Sequence, residues 1–356
     1  SGLTFTSSGT ALRKVDAVVI CVPTPLLDSA SPDLRPLEEA VATVAANVRR
    51  GSLVVLESTS FPGTTTELIL PKLQARLGKE GEDFFLAFSP ERIDPGNGDY
   101  SISNTPRVVG GATPNCSEVA ASLYKKIVDE VHIVSGPNEA EMAKLLENTY
   151  RHVNIALANE LAKVCHALGI NVWEVIEAAS TKPFGFQAFW PGPGVGGHCI
   201  PIDPMYLNSR VRSELGRPFQ FIELATEVNH QMPGYVVERI IEELRLDHLT
   251  PSKRVLLLGV TYKPDIGDIR ESPALEIAQR LRHHGVKVHY HDPFVAQITI
   301  DGETLKSEVD LEQSVSQADL TVLLQNHSQY SPDLLLLWSR KLFDTRGAVP
   351  GAAVTL

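Results

Sequence analysis

Twice along this chain, short runs of apolar residues stop at a proline, glycine or small polar turn and give way to a helical pattern; between the two stretches lies a segment of helical periodicity alone. No other feature constrains the fold as much. In the first stretch the runs at 16–22, 53–59 and 84–89 end at Pro23-Thr24-Pro25, Pro62-Gly63 and Pro90-Glu91, with a helix expected at about 37–49 and another after Gly63. Strands that are apolar on both faces need helices on both sides, so this stretch reads as a parallel, doubly wound sheet. Such sheets bind ligands outside the carboxyl ends of their strands, where Pro23, Thr24, Ser58, Thr59 and Glu91 fall. From about Asn138 the apolar residues Ala140, Ala143, Leu145, Leu146, Ile155, Ala156, Leu161 and Val164 are spaced for one long helix. Shorter helices follow it, and another is expected near Pro218. The second alternation has runs at 254–259, 286–290, 320–324 and 342–347, with a helix near 274–283. The expected architecture is α/β: two Rossmann-like doubly wound domains, 1–137 and 236–356, joined by a central helical domain at 138–235 that could pair with a second subunit.

At 356 residues the chain is too long for one core. A formal charge of −11 argues against a nucleic-acid or anionic-membrane surface, yet leaves room for a local cationic pocket that takes a phosphorylated ligand. No apolar run approaches the roughly 20 residues a spanning helix needs and no signal peptide is recognised, so the expected address is cytoplasmic. The four cysteines are far apart, without the pairing that binds zinc, and no metal site is expected. Cys21 and Cys165 lie in apolar patterns and read as buried fillers, and Cys116 sits near a helix start.

Cys199 is unlike the others. It follows Pro191-Gly192-Pro193-Gly194-Val195-Gly196-Gly197-His198 and precedes Ile200-Pro201, a segment expected to be neither helix nor strand. Gly192, Gly194 and Gly197 spell the dinucleotide fingerprint, but no strand precedes them, so that reading is set aside. Glycines let backbone approach a ligand closely, and loop amides can hold an oxyanion; a structural turn would have the same composition. Asp203 could orient a water or act as a base. A nucleophilic thiol needs a cation or base nearby. His198 is set aside for that part, because neighbours in an extended loop point opposite ways. Lys144 and Asn148, four apart, share a helix face. Taken alone they fit a solvated stripe, as do Glu141 and Glu147, which are expected on the surface. Lys263, Arg270 and Arg346 lie in loops at strand ends or near the helix start at Ser272-Pro273, where a cation could meet phosphate.

Assembled, the segments "ICVPTPL", "LESTSFPGTT", "FSPERIDPGN", "EMAKLLENTYRHVNIALANEL", "PFGFQAFWPGPGVGGHCIPIDPMYL", "GVTYKPDIGDIRESPALEI" and "FDTRG" resemble the UDP-glucose/GDP-mannose dehydrogenase family, most closely its UDP-N-acetylglucosamine 6-dehydrogenase branch. They run in family order over nearly the whole chain. The resemblance implies that a sugar C6 alcohol is oxidised to a carboxylate in two steps, with NAD as cofactor and a UDP-sugar as substrate. It implies Cys199 as the nucleophile that carries a thiohemiacetal and then a thioester. Lys144 and Asn148 would stabilise the oxyanion, Asp203 and Thr59 would position water or relay a proton, and Glu91 would be the general base for thioester hydrolysis. Pro23, Thr24, Ser58, Thr59 and Arg270 would contact the cofactor. Glu91, Arg92, Lys144, Phe189, Pro191, Gly192, Gly194, Gly196, Lys263 and Arg346 would contact the nucleotide sugar. A homodimer or higher homo-oligomer is implied as well.

Two departures stand beside the likeness. Pro95 occupies the position where the UDP-glucose branch has a second glutamate. The strand, glycine-rich turn and helix that open other members are not seen ahead of the first matching segment, so a longer parent protein is expected, and with it a large exposed apolar edge on the first sheet. Two other functions fit parts of the pattern. A UDP-sugar-binding remnant without catalysis would not need Cys199, Lys144, Asn148 and Asp203. A two-electron hydroxyacid dehydrogenase uses lysine and asparagine one turn apart but has no use for Cys199.

Overall fold

The computed structural model describes residues 2–27, 31–93, 98–245 and 253–356. The chain forms two compact units, 1–149 with 202–219, and 150–201 with 220–356.

The first unit contains β1 (Ala17–Ile20), α1 (Arg35–Asn47), β2 (Leu53–Leu56), α2 (Leu70–Leu77), β3 (Phe85–Phe88), β4 (Arg107–Gly111), α3 (Pro114–Tyr124) and β5 (Val131–Ile133). Its sheet has the order β1-β2-β3-β4-β5 and is parallel except between β3 and β4. All four residues of β2 are buried, so each apolar side chain contributes roughly 1.5–3 kcal/mol. Leu37, Val41, Leu73 and Leu77 cover one face of the sheet together with Val54 and Leu56. Ala120 and Tyr124 of α3 cover the other, against Leu53 and Val55. The first two helical patterns therefore form as expected. β1 is the edge strand of this sheet, but its exposed apolar surface comes down to Val19, because Val18 and Ile20 pack into the core shared with α1. The large apolar edge expected from the sequence is not present on this strand.

The helical segment begins with α4 (Pro137–Leu168), whose 32 residues match the long helix read from the sequence, and continues with α5 (Val172–Ser180), α6 (Cys199–Leu215) and α7 (Gln220–Leu244). α5 is capped by the Asn171 side chain, which accepts from the amides of Trp173 and Glu174.

The second unit contains β6 (Arg254–Leu258), α8 (Pro273–His283), β7 (Lys287–His291), β8 (Gln297–Ile300), β9 (Glu303–Lys306), α9 (Leu311–Gln317), β10 (Leu320–Leu323), α10 (Pro332–Trp338), β11 (Leu342–Asp344) and β12 (Val354–Thr355). Its main sheet, β12-β11-β10-β6-β7, is parallel throughout, and β8 and β9 form a separate antiparallel pair. Ser272 caps α8 and Pro273 occupies its first turn, as the sequence predicts. The fold is two doubly wound sheets with helices between them in the chain, the expected class.

α6 departs from expectation. The segment after Gly197 was expected to stay irregular, yet it is helical from Cys199 onward. Amides in the first turn have no partner inside the helix, so Pro201 gives up nothing there, and only Pro204 forfeits a hydrogen bond.

Candidate active site

In the first unit, candidates gather at the carboxyl ends of β1, β2 and β3. The Ser58 hydroxyl accepts from the Val22 amide at 2.7 Å and donates to the Val22 carbonyl at 2.8 Å, which pins the turn carrying Pro23 and Thr24. Tyr206 of α6 donates to the Pro25 carbonyl at 3.1 Å and holds the far side of that turn. Thr24, Ser58 and Thr59 are buried, while Pro23 is exposed.

α4 and α6 supply the rest. Lys144 is buried, and its Nζ donates to the main-chain oxygen of Glu91 at 3.0 Å. Asn148 Nδ2 donates to Asp203 Oδ2 at 2.6 Å. Asp203 is 0% exposed, and its Oδ1 has no hydrogen-bond partner among the described residues. Burial pushes its carboxyl up to about 6, against the opposing pull of the Lys144 charge, the Asn148 amide and the Thr59 hydroxyl. The pair four residues apart therefore lies on an inward face of α4, Lys144 buried and Asn148 half-buried, and is not a solvated stripe. Glu91 accepts from the amides of Arg92 and Ile93, each at 2.7 Å, and from Arg107 Nη1 at 2.9 Å. Burial raises its carboxyl, but Arg107 and the two amides outweigh burial and hold it below the usual range. Arg92 pairs with Glu147 at 2.7 Å and donates to the Pro106 carbonyl at 2.8 Å, so Glu147 is engaged and only partly exposed. Pro95 lies outside the described residues.

Two expectations are corrected here, and one residue is added. Glu141, expected on the surface, is 0% exposed. Its carboxylate accepts from Gly63 N and Thr65 N at 2.9 Å, from the Thr65 hydroxyl at 2.7 Å and from the Ser60 hydroxyl at 3.3 Å. Cys21, expected as a buried filler, is exposed just beyond β1, where its Sγ lies 3.7 Å from Glu57. Partial burial and then the Glu57 charge push that thiol up to about 11, which makes it a poor nucleophile. Arg107 was missed altogether. Its buried guanidinium pairs with both Glu57 and Glu91, and Tyr124 donates to the same Glu57. A lone arginine opening the apolar run Val108-Val109 was the available signal for Arg107. For Glu141 the signal was its place on the same stripe of α4 as Lys144 and Asn148.

In the second unit the glycine-rich loop is fixed at each step. Phe189 meets Tyr150 edge-on at 5.6 Å, and Trp190 stacks on Trp173 at 5.7 Å. Pro191 and Gly192 are buried, and the Gly192 amide donates to Asn159 Oδ1 at 2.9 Å. Asn159 is itself fully buried and donates to Asn229 Oδ1 at 2.9 Å, a relay the sequence reading did not find. Arg346 Nε donates to the Leu324 carbonyl at 2.6 Å, and a Cβ on Gly192 would lie 2.9 Å from Arg346 Nη1. Burial lowers this guanidinium to about 10 while Asp344 opposes the shift. A Cβ on Gly196 would meet the Glu271 carbonyl at 2.6 Å, and one on Gly197, whose φ is +82°, would meet the Tyr262 ring at 2.8 Å. Both positions need glycine because Tyr262 and its loop occupy that space. Gly194 approaches the Pro273 ring. Lys263 is half-buried beside Tyr262, and its carbonyl accepts from the Thr261 hydroxyl at 2.8 Å. Arg270 is exposed and paired with Asp268 at 2.6 Å, and its carbonyl accepts from the Gly197 amide at 3.0 Å. Cys199 is exposed as the first residue of α6; none of the four cysteines is in a disulfide, and Cys116 and Cys165 are buried.

Comparison with known proteins decides what this arrangement belongs to. Residues 1–128 match the NAD binding domain of the UDP-glucose/GDP-mannose dehydrogenase family, 138–231 its central domain and 256–350 its UDP binding domain. The chain belongs to the UDP-glucose/GDP-mannose dehydrogenase family. An NDP-N-acetyl-D-galactosaminuronic acid dehydrogenase from Ralstonia nicotianae is 39% identical over 343 residues, covering 93% of this chain and 78% of the relative. A UDP-N-acetyl-D-glucosamine 6-dehydrogenase from Pseudomonas aeruginosa is 38% identical, covering 83% of this chain and 70% of the relative. Among solved structures, a UDP-D-ManNAc dehydrogenase from Pyrococcus horikoshii superimposes with a TM-score of 0.85 at 35% identity, over 98% of this chain and 82% of that one. The family makes this chain an NAD-dependent UDP-sugar dehydrogenase, with NAD as its cofactor. The first unit fits that cofactor: buried Thr24, Ser58 and Thr59 lie just past the ends of the neighbouring parallel strands β1 and β2, where such sheets take nucleotide ligands. No helix among the described residues is long and apolar enough to cross a membrane.

Proposed function

We propose that this dehydrogenase oxidises the C6 alcohol of a UDP-linked N-acetylhexosamine, UDP-N-acetylglucosamine foremost, to the carboxylate through a covalent Cys199 intermediate. One arrangement carries the reading. α6 presents Cys199 on its first turn and Asp203 one turn later, and Asp203 is fully buried with Asn148 on one oxygen and no hydrogen-bond partner among the described residues on the other. Binding alone has no use for a buried carboxylate whose charge is penalised; chemistry that moves a proton does.

When bound, NAD supplies the two-electron acceptor for each of the two oxidations, and Pro23, Thr24, Ser58, Thr59 and Arg270 are the residues proposed to hold it. Asp203 and Thr59 take up the proton released from the C6 hydroxyl, directly or through a water. Cys199 then adds to the C6 aldehyde. Its place at the start of α6 puts the sulfur beside the positive end of the peptide dipoles. Among the described residues Lys144 makes one hydrogen bond and Asn148 Nδ2 one, so the remaining donors of both are proposed to stabilise the oxyanion of the thiohemiacetal. Removal of a second electron pair leaves a thioester. Glu91, held ionised by Arg107, orients the water that cleaves it to acid and free thiol. Lys263 and Arg346 answer the diphosphate, and Phe189, Pro191, Gly192, Gly194 and Gly196, with Arg92, enclose the sugar.

The relatives named above act on N-acetylated sugars of galacto, gluco and manno configuration, which supports the acetamido class. The product is proposed to serve surface polysaccharide synthesis in the cytoplasm. The domains are proposed to divide at 137/138 and 235/236. Self-association is proposed through the central helices, where Tyr150, Leu157, Val164 and Leu168 recur along α4 and are exposed, with Leu157 at 65%. The test of the reaction is the amount of NADH formed per UDP-N-acetylglucosamine consumed by the full-length protein. Two supports the proposal and one defeats it. Cys199→Ser is expected to abolish acid formation.

A further inference from the structure

Glu141 has no part in the chemistry above, yet among the described residues it is a fully buried and heavily hydrogen-bonded carboxylate of the first unit. It is fully buried and accepts four hydrogen bonds, all from the segment that follows Thr59: two main-chain amides and two hydroxyls at Ser60, Gly63 and Thr65. Gly63 adopts φ +104°, and the chain then enters a π-helical turn, Thr64–Ile69, whose first amides carry the positive end of the peptide dipoles. On its own helix, Glu141 stands three residues before Lys144 and seven before Asn148, on one stripe of α4. One carboxylate therefore joins two elements: the loop that leaves β2 through Ser58 and Thr59, and the helix that bears the lysine and asparagine.

Burying such a group is costly. Burial pushes its carboxyl up to about 7 even though every donor around it favours the charged form. A surface placement, or an apolar residue packing against Ile69 and Ala140, would avoid that cost.

We propose that Glu141 is a positioning residue: its carboxylate sets the Thr59 loop against α4, so that Thr59, Lys144 and Asn148 are held in mutual register for the reaction. This rests on the roles given to those three residues in the proposed function. The carboxylate geometry leaves little tolerance. With glutamine at 141, one of the two terminal atoms becomes a donor and confronts either the Gly63 amide or the Thr65 amide and hydroxyl. At least one main-chain N–H loses its partner, and the loop must move away.

The experiment is steady-state kinetics of full-length Glu141→Gln and Thr65→Val, with thermal melts of each, using UDP-N-acetylglucosamine and NAD. The expected result for Glu141→Gln is a fall in kcat of about a hundredfold, the scale of a misplacement of about 1 Å, with both KM values within about threefold of wild type. Thr65→Val removes only the 2.7 Å hydroxyl bond and is expected to lower kcat in the same direction by less, on the order of tenfold. A merely structural role would lower the melting temperature of both and leave kcat unchanged below the melt; that result overturns the inference. If Glu141→Gln does not fold, Thr65→Val decides alone, its kcat falling or staying at the wild-type value. A wild-type enzyme that turns over two NADH per sugar, with unchanged kcat in these variants, would refute the positioning role and leave the proposed reaction standing.

Discussion

Asp203→Asn should make the protein more stable at neutral pH while destroying its activity. The magnitude follows from the burial of Asp203. Its carboxyl lies at about 6, against an ordinary aspartate value of 3.8. That gap of about two corresponds to about 3 kcal/mol of differential interaction between the charged and neutral forms. The folded value is raised, so over pH 4 to 6 the folded protein binds more protons than the unfolded chain and stability falls as pH rises. Below that window both states are protonated and nothing is lost. Above it the full penalty applies. Asparagine is neutral at every pH and its carbonyl can still accept from Asn148, so the variant escapes the penalty. Its advantage should be near zero at pH 4 and about 3 kcal/mol at pH 7.5. For a unit of this size that is a rise in Tm of roughly 6–12 °C. Thermal melts of both proteins from pH 4 to 8 would measure it, with NADH production as the activity readout. A variant no more stable than wild type at pH 7.5, or one whose advantage is the same at pH 4.5, refutes the claim that Asp203 is strained by burial for the sake of function.

Other consequences can be checked with single substitutions. Arg107→Met leaves the Glu57 carboxylate without its buried cation and should cost about 3–5 kcal/mol, read as a large drop in Tm. Part of that loss should fade on acidification, because the stability Glu91 gains from Arg107 exists above the ordinary carboxylate range and disappears as pH falls through its lowered folded value; an undiminished loss at low pH would contradict this. Gly197→Ala must place a methyl against the Tyr262 ring at a φ of +82° and should cost about 1–2 kcal/mol from backbone strain alone, with at least a tenfold fall in kcat; normal rates would show that the loop does not seat Cys199. Asn159→Leu orphans the Gly192 amide, a penalty of about 1–3 kcal/mol, and should raise KM for the UDP-sugar more than it changes kcat, as initial rates would reveal.

Much of the architecture is written in local pattern. Leu53-Val54-Val55-Leu56 can only be a strand buried on both faces, and the apolar period through α4 leaves a long helix as the one solution. Cys199 stood out in the sequence as a candidate, but not as part of a helix, because proline and glycine signal interruption unless the first-turn exemption is recognised. What the sequence hides is the partner of each polar group. Glu141 and Lys144 lie three residues apart with similar neighbours; that one is held by the Ser60–Thr65 segment and the other by the Glu91 carbonyl depends on contacts across many residues. Cys21 looked buried because it continues an apolar strand, but β1 is an edge and its end is open. A lone arginine opening an apolar run marks Arg107 in the sequence, but not its partners, two glutamates 50 and 16 residues away.

The central claim is that sulfur carries the sugar between its two oxidations. Peptide mass spectrometry after acid quenching of a turning-over Glu91→Gln variant, in which thioester hydrolysis is slowed, addresses that claim most directly. A nucleotide-uronyl group on the peptide containing Cys199 is the predicted result; a bare thiol there during steady formation of the uronic acid would contradict the account.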